Sequence, residues 1–290
     1  MKTTGAYKVW NIIYPVGIYY VVSSLVYFAL ELFFGTAYES YMLRQMICAA
    51  ATIPFVWSFY RQDKAIEETV YGKRRIVLKR HAAEEKPADM ESATGAVSFV
   101  MAAAGGILVL AAGAALGVGV NNLIAMTPLI RMSAGFSEAN QAFFAGGILF
   151  ELLGSGLLIP IAEELLYRGV VYKRLRLLMG VWPAIVLSAV IFGAMHFNLV
   201  QFFYAGILGI MLAFLVERTG YVCMAALAHM GANVAAIVRQ ETGWLSFAYE
   251  PTAAGIGVTV LCLAVACAAL LAVVYLWKRV QGEQDASRDM

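Results

Sequence analysis

Eight long apolar runs follow one another from Trp10 to Trp277, and they restrict what this chain can fold into. In hydrocarbon every backbone N–H and C=O needs a partner within the protein, so spanning segments are helices or a closed barrel. These runs lack the alternating ten-residue pattern of barrel strands. The expected fold class is all-α, a polytopic membrane protein of about eight transmembrane helices around a central cavity. Composition agrees, because 14% of the 290 residues are charged, where a soluble domain carries roughly a quarter. A net charge of +2 is too small to argue for a nucleic-acid partner.

The expected spans run from about Trp10 to Phe34, Tyr41 to Tyr60, Val97 to Met126, and Ala142 into a charged stretch at Glu163. They continue with Val181 to Phe197, Val200 to Val216, Tyr221 to Val238 and Pro251 to Trp277. Lysine and arginine gather at alternate connections. Lys2 and Lys8 precede the first span, Lys64 to Arg80 follow the second, and Lys173, Arg174 and Arg176 follow the fourth. Arg218 follows the sixth, and Lys278 and Arg279 follow the eighth, whereas the other connections hold Arg131 and Arg239. The positive-inside rule then puts both termini in the cytoplasm, with Trp10, Trp57, Trp182 and Trp277 as an interfacial belt on that side. Short loops and a compact apolar core suggest a bacterial plasma membrane.

The chain reads as one membrane domain over residues 1–290. Residues 61–96 form a cytoplasmic loop with a short amphipathic helix, whose Tyr71-Gly72-Lys73-Arg74-Arg75 can lie against anionic lipid. Residues 281–290 form a disordered tail. The first apolar run is long enough to span and lacks a cleavage site, so it reads as an uncleaved helix. Cys48, Cys223, Cys262 and Cys267 sit in apolar runs without ligand spacing and act as small hydrophobes. Gly113 and Gly117, at GxxxG spacing, predict close helix packing.

Charge inside a span is costly and usually faces a partner or a wet cavity. Glu163 and Glu164 are adjacent carboxylates in the fourth run. Glu164 and Arg168 are i, i+4, a spacing that allows an ion pair, and Glu163 points about 100° away. Pro160 breaks a main-chain bond just before them. Of three histidines, His81 reads as solvated; His196 shares a helix face with Phe192, and His229 one with Asn233. Glu31 reads as a helix-bonding or snorkelling residue, and Glu151 as a possible cavity residue. Two histidines and a carboxylate admit two hydrolytic chemistries. Glu163, His196 and His229 can ligate zinc with a water in the fourth position. Alternatively a glutamate with a neighbouring histidine activates water directly, and His229 with Asn233 steadies the oxyanion.

The ordered triple Glu163-Glu164-x-x-x-Arg168, Phe192-x-x-x-His196 and His229-x-x-x-Asn233 resembles the motifs of the CAAX protease and bacteriocin-processing family, which includes the type II CAAX prenyl endopeptidases. The resemblance covers about residues 142–238. It implies an intramembrane endopeptidase whose catalytic cavity opens to the cytoplasm, acting on a peptide or membrane-protein substrate. Glu163 then resembles the water-activating glutamate, with Glu164 and Arg168 completing its motif. His196 resembles the histidine that positions the water, and His229 and Asn233 the oxyanion pair. The family is described both as metalloproteases and as glutamate proteases. With no further ligand or cysteine cluster in the chain, no required cofactor is the favoured expectation, with zinc as the alternative.

Two functions of other classes compete: a bacteriocin-immunity or scaffold protein that binds without cutting, and a proton-coupled transporter that uses the same charges as a relay. Depth poses its own difficulty. A fifth helix that crosses fully would carry His196 more than about 20 Å from Glu163. Either the fourth helix is long and tilted, or the fifth ends mid-membrane with Phe197-Asn198-Leu199 as a turn lining the cavity; a mixture of both is expected.

Overall fold

A computed structural model describes the backbone of residues 5–79, 88–133 and 135–289, and the side chains of residues 5–65, 103–133 and 135–279. Among these residues the regular elements are helical. The principal helices are α1 (Gly5–Phe34), α2 (Tyr41–Lys79), α3 (Ala88–Ala125), α4 (Phe136–Phe143) and α5 (Ile148–Arg176). They continue with α6 (Val181–Ala194), α7 (Leu199–Thr219), α8 (Val222–Thr242) and α9 (Ala253–Asp289).

The eight expected spans resolve into three kinds of helix. Six helices among the described residues are long and apolar enough to cross a membrane, in α1, α2, α3, α7, α8 and α9. The fourth span is a pair, α4 and α5, bent by 102°. Gly147 makes this break at φ 85°, a backbone conformation that glycine adopts without steric cost. The crossing helix therefore starts at Ile148 and not near Ala142. The fifth, α6, has 14 residues and rises about 21 Å, short of a ~30 Å hydrocarbon core.

That short helix removes the depth difficulty. Both α5 and α6 meet at the Arg176–Val181 connection. From there α6 climbs about 20 Å to Ala194, and Glu163 stands about 20 Å above Arg176 along α5. The mixture foreseen from the sequence is what forms: a long α5 and a short α6 bring Glu163 and His196 to one level.

Where a loop over 61–96 was expected, α2 continues unbroken to Lys79. His81 and the side chains of Tyr71 to Arg75 lie outside the described residues. Residues 281–289 of the tail, expected to be disordered, are the last part of the α9 helix, which runs to Asp289; their side chains also lie outside the described residues.

Close backbone contact locks the centre of the bundle. A Cβ on Gly113 of α3 would lie 1.8 Å from the Ala228 carbonyl oxygen of α8, and one on Gly231 of α8 would lie 2.2 Å from that of Leu110. Small residues let the two backbones approach, as the GxxxG spacing predicts. Asn122 of α3 also donates to Thr259 of α9 at 3.0 Å inside the bundle. The helix that carries His229 is thus held against a fixed neighbour through its opposite face.

Candidate active site

The central helix α5 is not uniform. Residues Gly154–Leu158 and Tyr167–Tyr172 are π-helical turns on either side of the α-helical Ile159–Leu166. Such turns shift the following side chains around the axis and recur at functional sites. Their origin is partly local. The Ile159 N–H bonds the Gly154 carbonyl, and Pro160 has no N–H to offer. The Ser155 carbonyl is left without those donors, and Asn233 Nδ2 of α8 supplies one at 2.9 Å, with Ser155 Oγ at 3.3 Å.

Beyond Pro160 the two glutamates part company, as the i, i+4 spacing predicts. Glu164 and Arg168 are fully buried, and Arg168 Nη1 donates to Glu164 Oε1 at 2.9 Å. Arg168 Nη2 donates to the Gly209 carbonyl of α7 at 3.2 Å. Its guanidinium lies 4.3 Å from the centroid of the Phe192 ring. His229 Nδ1 meets the same Glu164 Oε1 at 2.9 Å. A carboxylate only accepts, so Nδ1 carries the proton and Nε2 is turned towards Glu163. The distance from His229 Nε2 to Glu163 Oε2 is 3.8 Å.

Glu163 has no such clamp and faces a cavity of about 700 Å³. His196, His229, Asn233, Ser155 and Phe192 line the same space. Phe192 is the spacer between the histidines, with its ring edge-on to His196 at 5.0 Å and to His229 at 5.7 Å. His196 Nδ1 lies 2.9 Å from the Phe192 carbonyl oxygen, which only accepts. Nδ1 is therefore the protonated nitrogen and Nε2 holds the free lone pair. The residue after it, Phe197, takes φ 56° and turns the chain into α7, where Asn198 caps the helix by accepting from Gln201 N at 2.9 Å. The Phe197-Asn198-Leu199 turn expected at the cavity thus forms, and Phe197 lines it.

All six residues singled out in the sequence come together around the lower part of the cavity, four lining it and Glu164 and Arg168 buried behind it. Asn233 gives its amide donors to the two Ser155 oxygens. Ser155 and Gly209 were not foreseen. In an α-helix Pro160 would free the Gly156 carbonyl, and it is the π-turn that moves the free carbonyl to Ser155. Glu151, held open as a cavity residue, is buried near the start of α5 and is not part of the lining. Among the described residues no three His, Cys, Asp or Glu side chains are grouped as metal ligands. Glu163, His196 and His229 all line the one cavity, with His229 Nε2 3.8 Å from Glu163 Oε2.

The upper lining of the cavity comes from Tyr41, Ala125, Phe136, Gln240 and Tyr249, at the end of the bundle away from the basic connections. Towards the basic connections every residue of α5 from Leu166 to Tyr172 is buried.

Residues 145–235 match the family model described as Type II CAAX prenyl endopeptidase Rce1-like. The resemblance drawn from the three motifs is supported. The matched segment holds every motif residue and starts in the bend before α5. It supports a CAAX-type endopeptidase in general and, together with the long apolar helices, a multi-pass membrane protein. No curated protein and no solved structure matches the chain.

Proposed function

We propose that the protein is an intramembrane endopeptidase in which Glu163 activates a water without a bound metal. The observation that carries this reading is the inequality of the two glutamates: Glu164 is neutralised by Arg168 and His229, whereas Glu163 faces the cavity with the His229 ring beside it. Glu163 takes a proton from water as the oxygen adds to the peptide carbonyl carbon. His196, through its free Nε2, accepts a hydrogen bond from that water and aims it. The oxyanion forms near His229, and protonated His229, held by Glu164, donates Nε2–H to it. Asn233 turns one amide hydrogen from Ser155 to the same oxygen. The oxyanion collapses, the C–N bond breaks and the leaving nitrogen takes the proton from Glu163, so the products are an amine and a carboxylic acid, which ionises by giving its proton to solvent or to the amine.

The test is cleavage of a quenched fluorescent peptide library by the purified protein in liposomes. Glu163→Gln abolishes cleavage with unchanged thermal stability, and a strong chelator leaves the wild type active. Cleavage by Glu163→Gln would overturn the role of Glu163, and chelator-sensitive cleavage restored by zinc would overturn the metal-free reading. An immunity or scaffold protein would bind through the cavity and be indifferent to Glu163→Gln.

A further inference from the structure

Little of α1 is buried, yet this helix reaches the candidate active site, and it is held to α5 at two heights. Beneath Glu163 lies an ion-paired floor. There Arg174 of α5 binds Asp63 of α2 through Nε at 2.7 Å and Nη2 at 3.0 Å, and Arg176 binds Glu217 of α7 at 3.0 Å. Arg174 also donates to the Asn11 carbonyl of α1, and to the Tyr14 hydroxyl at 3.2 Å. Higher up, Tyr20 of α1 lines the cavity, and its hydroxyl lies 3.1 Å from that of the buried Tyr167. Tyr167 follows Glu163 by about one turn along α5.

Where α6 ends, its last carbonyl groups lose their helical donors and need others. Most are met from within the same turn. His196 N–H donates to the Gly193 carbonyl at 3.2 Å, and Phe197 N–H to that of Ala194 at 3.3 Å. His196 Nδ1 serves Phe192, as described above, and Asn198 Nδ2 donates to the His196 carbonyl at 3.3 Å. The Met195 carbonyl is met from another helix: the Tyr20 hydroxyl donates to it at 3.3 Å. That hydroxyl has one hydrogen, so Tyr167 donates to Tyr20 and Tyr20 to Met195. The Met195 carbonyl and the His196 N–H belong to one planar peptide, so this bond fixes the unit from which the imidazole hangs. The Tyr20 ring also stands edge-on to Phe197 at 6.3 Å, and Phe197 keeps φ 56°, uncommon for a residue with a side chain. One tyrosine thus grips the residues on both sides of His196.

We infer that Tyr20 is a positioning residue for His196, with Tyr167 setting the direction of its hydroxyl, so that the working site takes in α1 as well as the matched residues 145–235. The kinetic consequence rests on the proposed hydrolysis, in which His196 Nε2 aims the water, whereas the hold on His196 is a property of the fold alone. Without the Tyr20 hydroxyl the Met195–His196 peptide is free to turn, and the imidazole loses its fixed aim.

A kinetic and a spectroscopic readout test this. With the quenched peptides in liposomes, Tyr20→Phe lowers kcat by about tenfold or more and leaves KM within about twofold, as for a small misplacement of a reacting group. Tyr167→Phe keeps the Tyr20–Met195 bond but removes its orienting donor, and lowers kcat less. Tyr14→Phe removes the other hydroxyl contact between α1 and α5 and leaves kcat unchanged. Full activity in Tyr20→Phe overturns the inference. Equal losses in Tyr14→Phe and Tyr20→Phe overturn it too, because they would mean only that α1 had come loose. The chain has three histidines, so isotope-labelled imidazoles can be followed by NMR in detergent micelles, with His196 assigned by the loss of its signals in His196→Gln. Tyr20→Phe shifts the ring-nitrogen signals of His196 and leaves those of His229 in place. Unmoved His196 signals, or equal movement at both histidines, overturn the inference. Should Tyr20→Phe fold poorly, Tyr167→Phe carries the same readouts, and no change in either kcat or the His196 signals overturns it. Shifted His196 signals in a protein whose wild type cleaves no peptide would count against the hydrolysis and leave the hold of Tyr20 on His196 standing.

Discussion

Glu164 Oε1 stands 2.9 Å from His229 Nδ1, inside a bundle where the glutamate is wholly buried. The same oxygen receives Arg168 at 2.9 Å, so one atom ties α5 to α8 and sets the protonated nitrogen of the imidazole. A carboxylate that orients a histidine in this way acts through its partner, and Glu164 is a positioning residue for His229.

Replacing Glu164 by Gln keeps its size and removes its charge. Arg168 is then an uncompensated buried cation, and the loss of one partner from such a pair costs about 3–5 kcal/mol. Thermal unfolding in detergent reads the destabilisation, and cleavage falls with it. Arg168→Ala in the Glu164→Gln background recovers part of the lost stability and none of the activity. An unchanged melting temperature for Glu164→Gln alone would contradict the buried pair.

Gly209 leaves room for that arginine. A Cβ there would lie 2.9 Å from Arg168 Nη2 and 3.2 Å from Ala189 of α6. Gly209→Ala displaces the guanidinium and, through Glu164, the imidazole. We expect kcat to fall by about 10–100-fold, as for small misplacements of reacting groups, with KM little changed. Steady-state kinetics separates this outcome from a general loss of folded protein.

Gly113 and Gly206 are a matched pair for testing the packing. A methyl on Gly113 collides with the Ala228 carbonyl at 1.8 Å, whereas one on Gly206 meets nothing within 4 Å. Gly113→Ala should destabilise the fold by about 1–3 kcal/mol or more through overpacking. Gly206→Ala should stabilise it by about 0.5–1 kcal/mol, because alanine is the better helix residue. Melting temperatures that move the same way in both would contradict the close approach of α3 to α8.

Asn233 and Ser155 separate a main-chain contact from a side-chain one. Asn233→Ala leaves the buried Ser155 carbonyl without its donor, at a cost of about 1–3 kcal/mol. Ser155→Ala removes the weaker contact, at 3.3 Å, and keeps the carbonyl bond. The expected order of melting temperatures is wild type, then Ser155→Ala, then Asn233→Ala. Activity should follow a steeper course for Asn233→Ala if its amide also serves the oxyanion.

The motif residues were legible because helical spacing fixes which side chains share a face. Glu164 with Arg168, and Glu163 turned aside, follow from 3.6 residues per turn alone. The height of His196 was not legible, because Val181 to Phe197 is apolar enough to read as a complete span. Asn198 and Gln201, a capping pair at i, i+3, carried the only local sign that a helix begins there. The split had a local mark in Gly146-Gly147, masked by the apolar run around it, whereas the use of Gly209 depends on neighbours distant in sequence. Hydropathy likewise located the ends of α5 poorly. Its C-terminal portion is rich in charge, yet Arg174 and Arg176 are satisfied by Asp63 and Glu217 on other helices.

The ion-paired floor beneath Glu163 has an energetic meaning for the cell that houses the protein. A site that needs water must bring solvent to mid-membrane, and a hydrated path continuing past it would conduct protons and dissipate the membrane potential. Among the residues of α5, the cavity lining ends at Glu163, and the buried Tyr167–Tyr172 turn follows it. Hydrolysis can therefore proceed in an energised membrane without short-circuiting it.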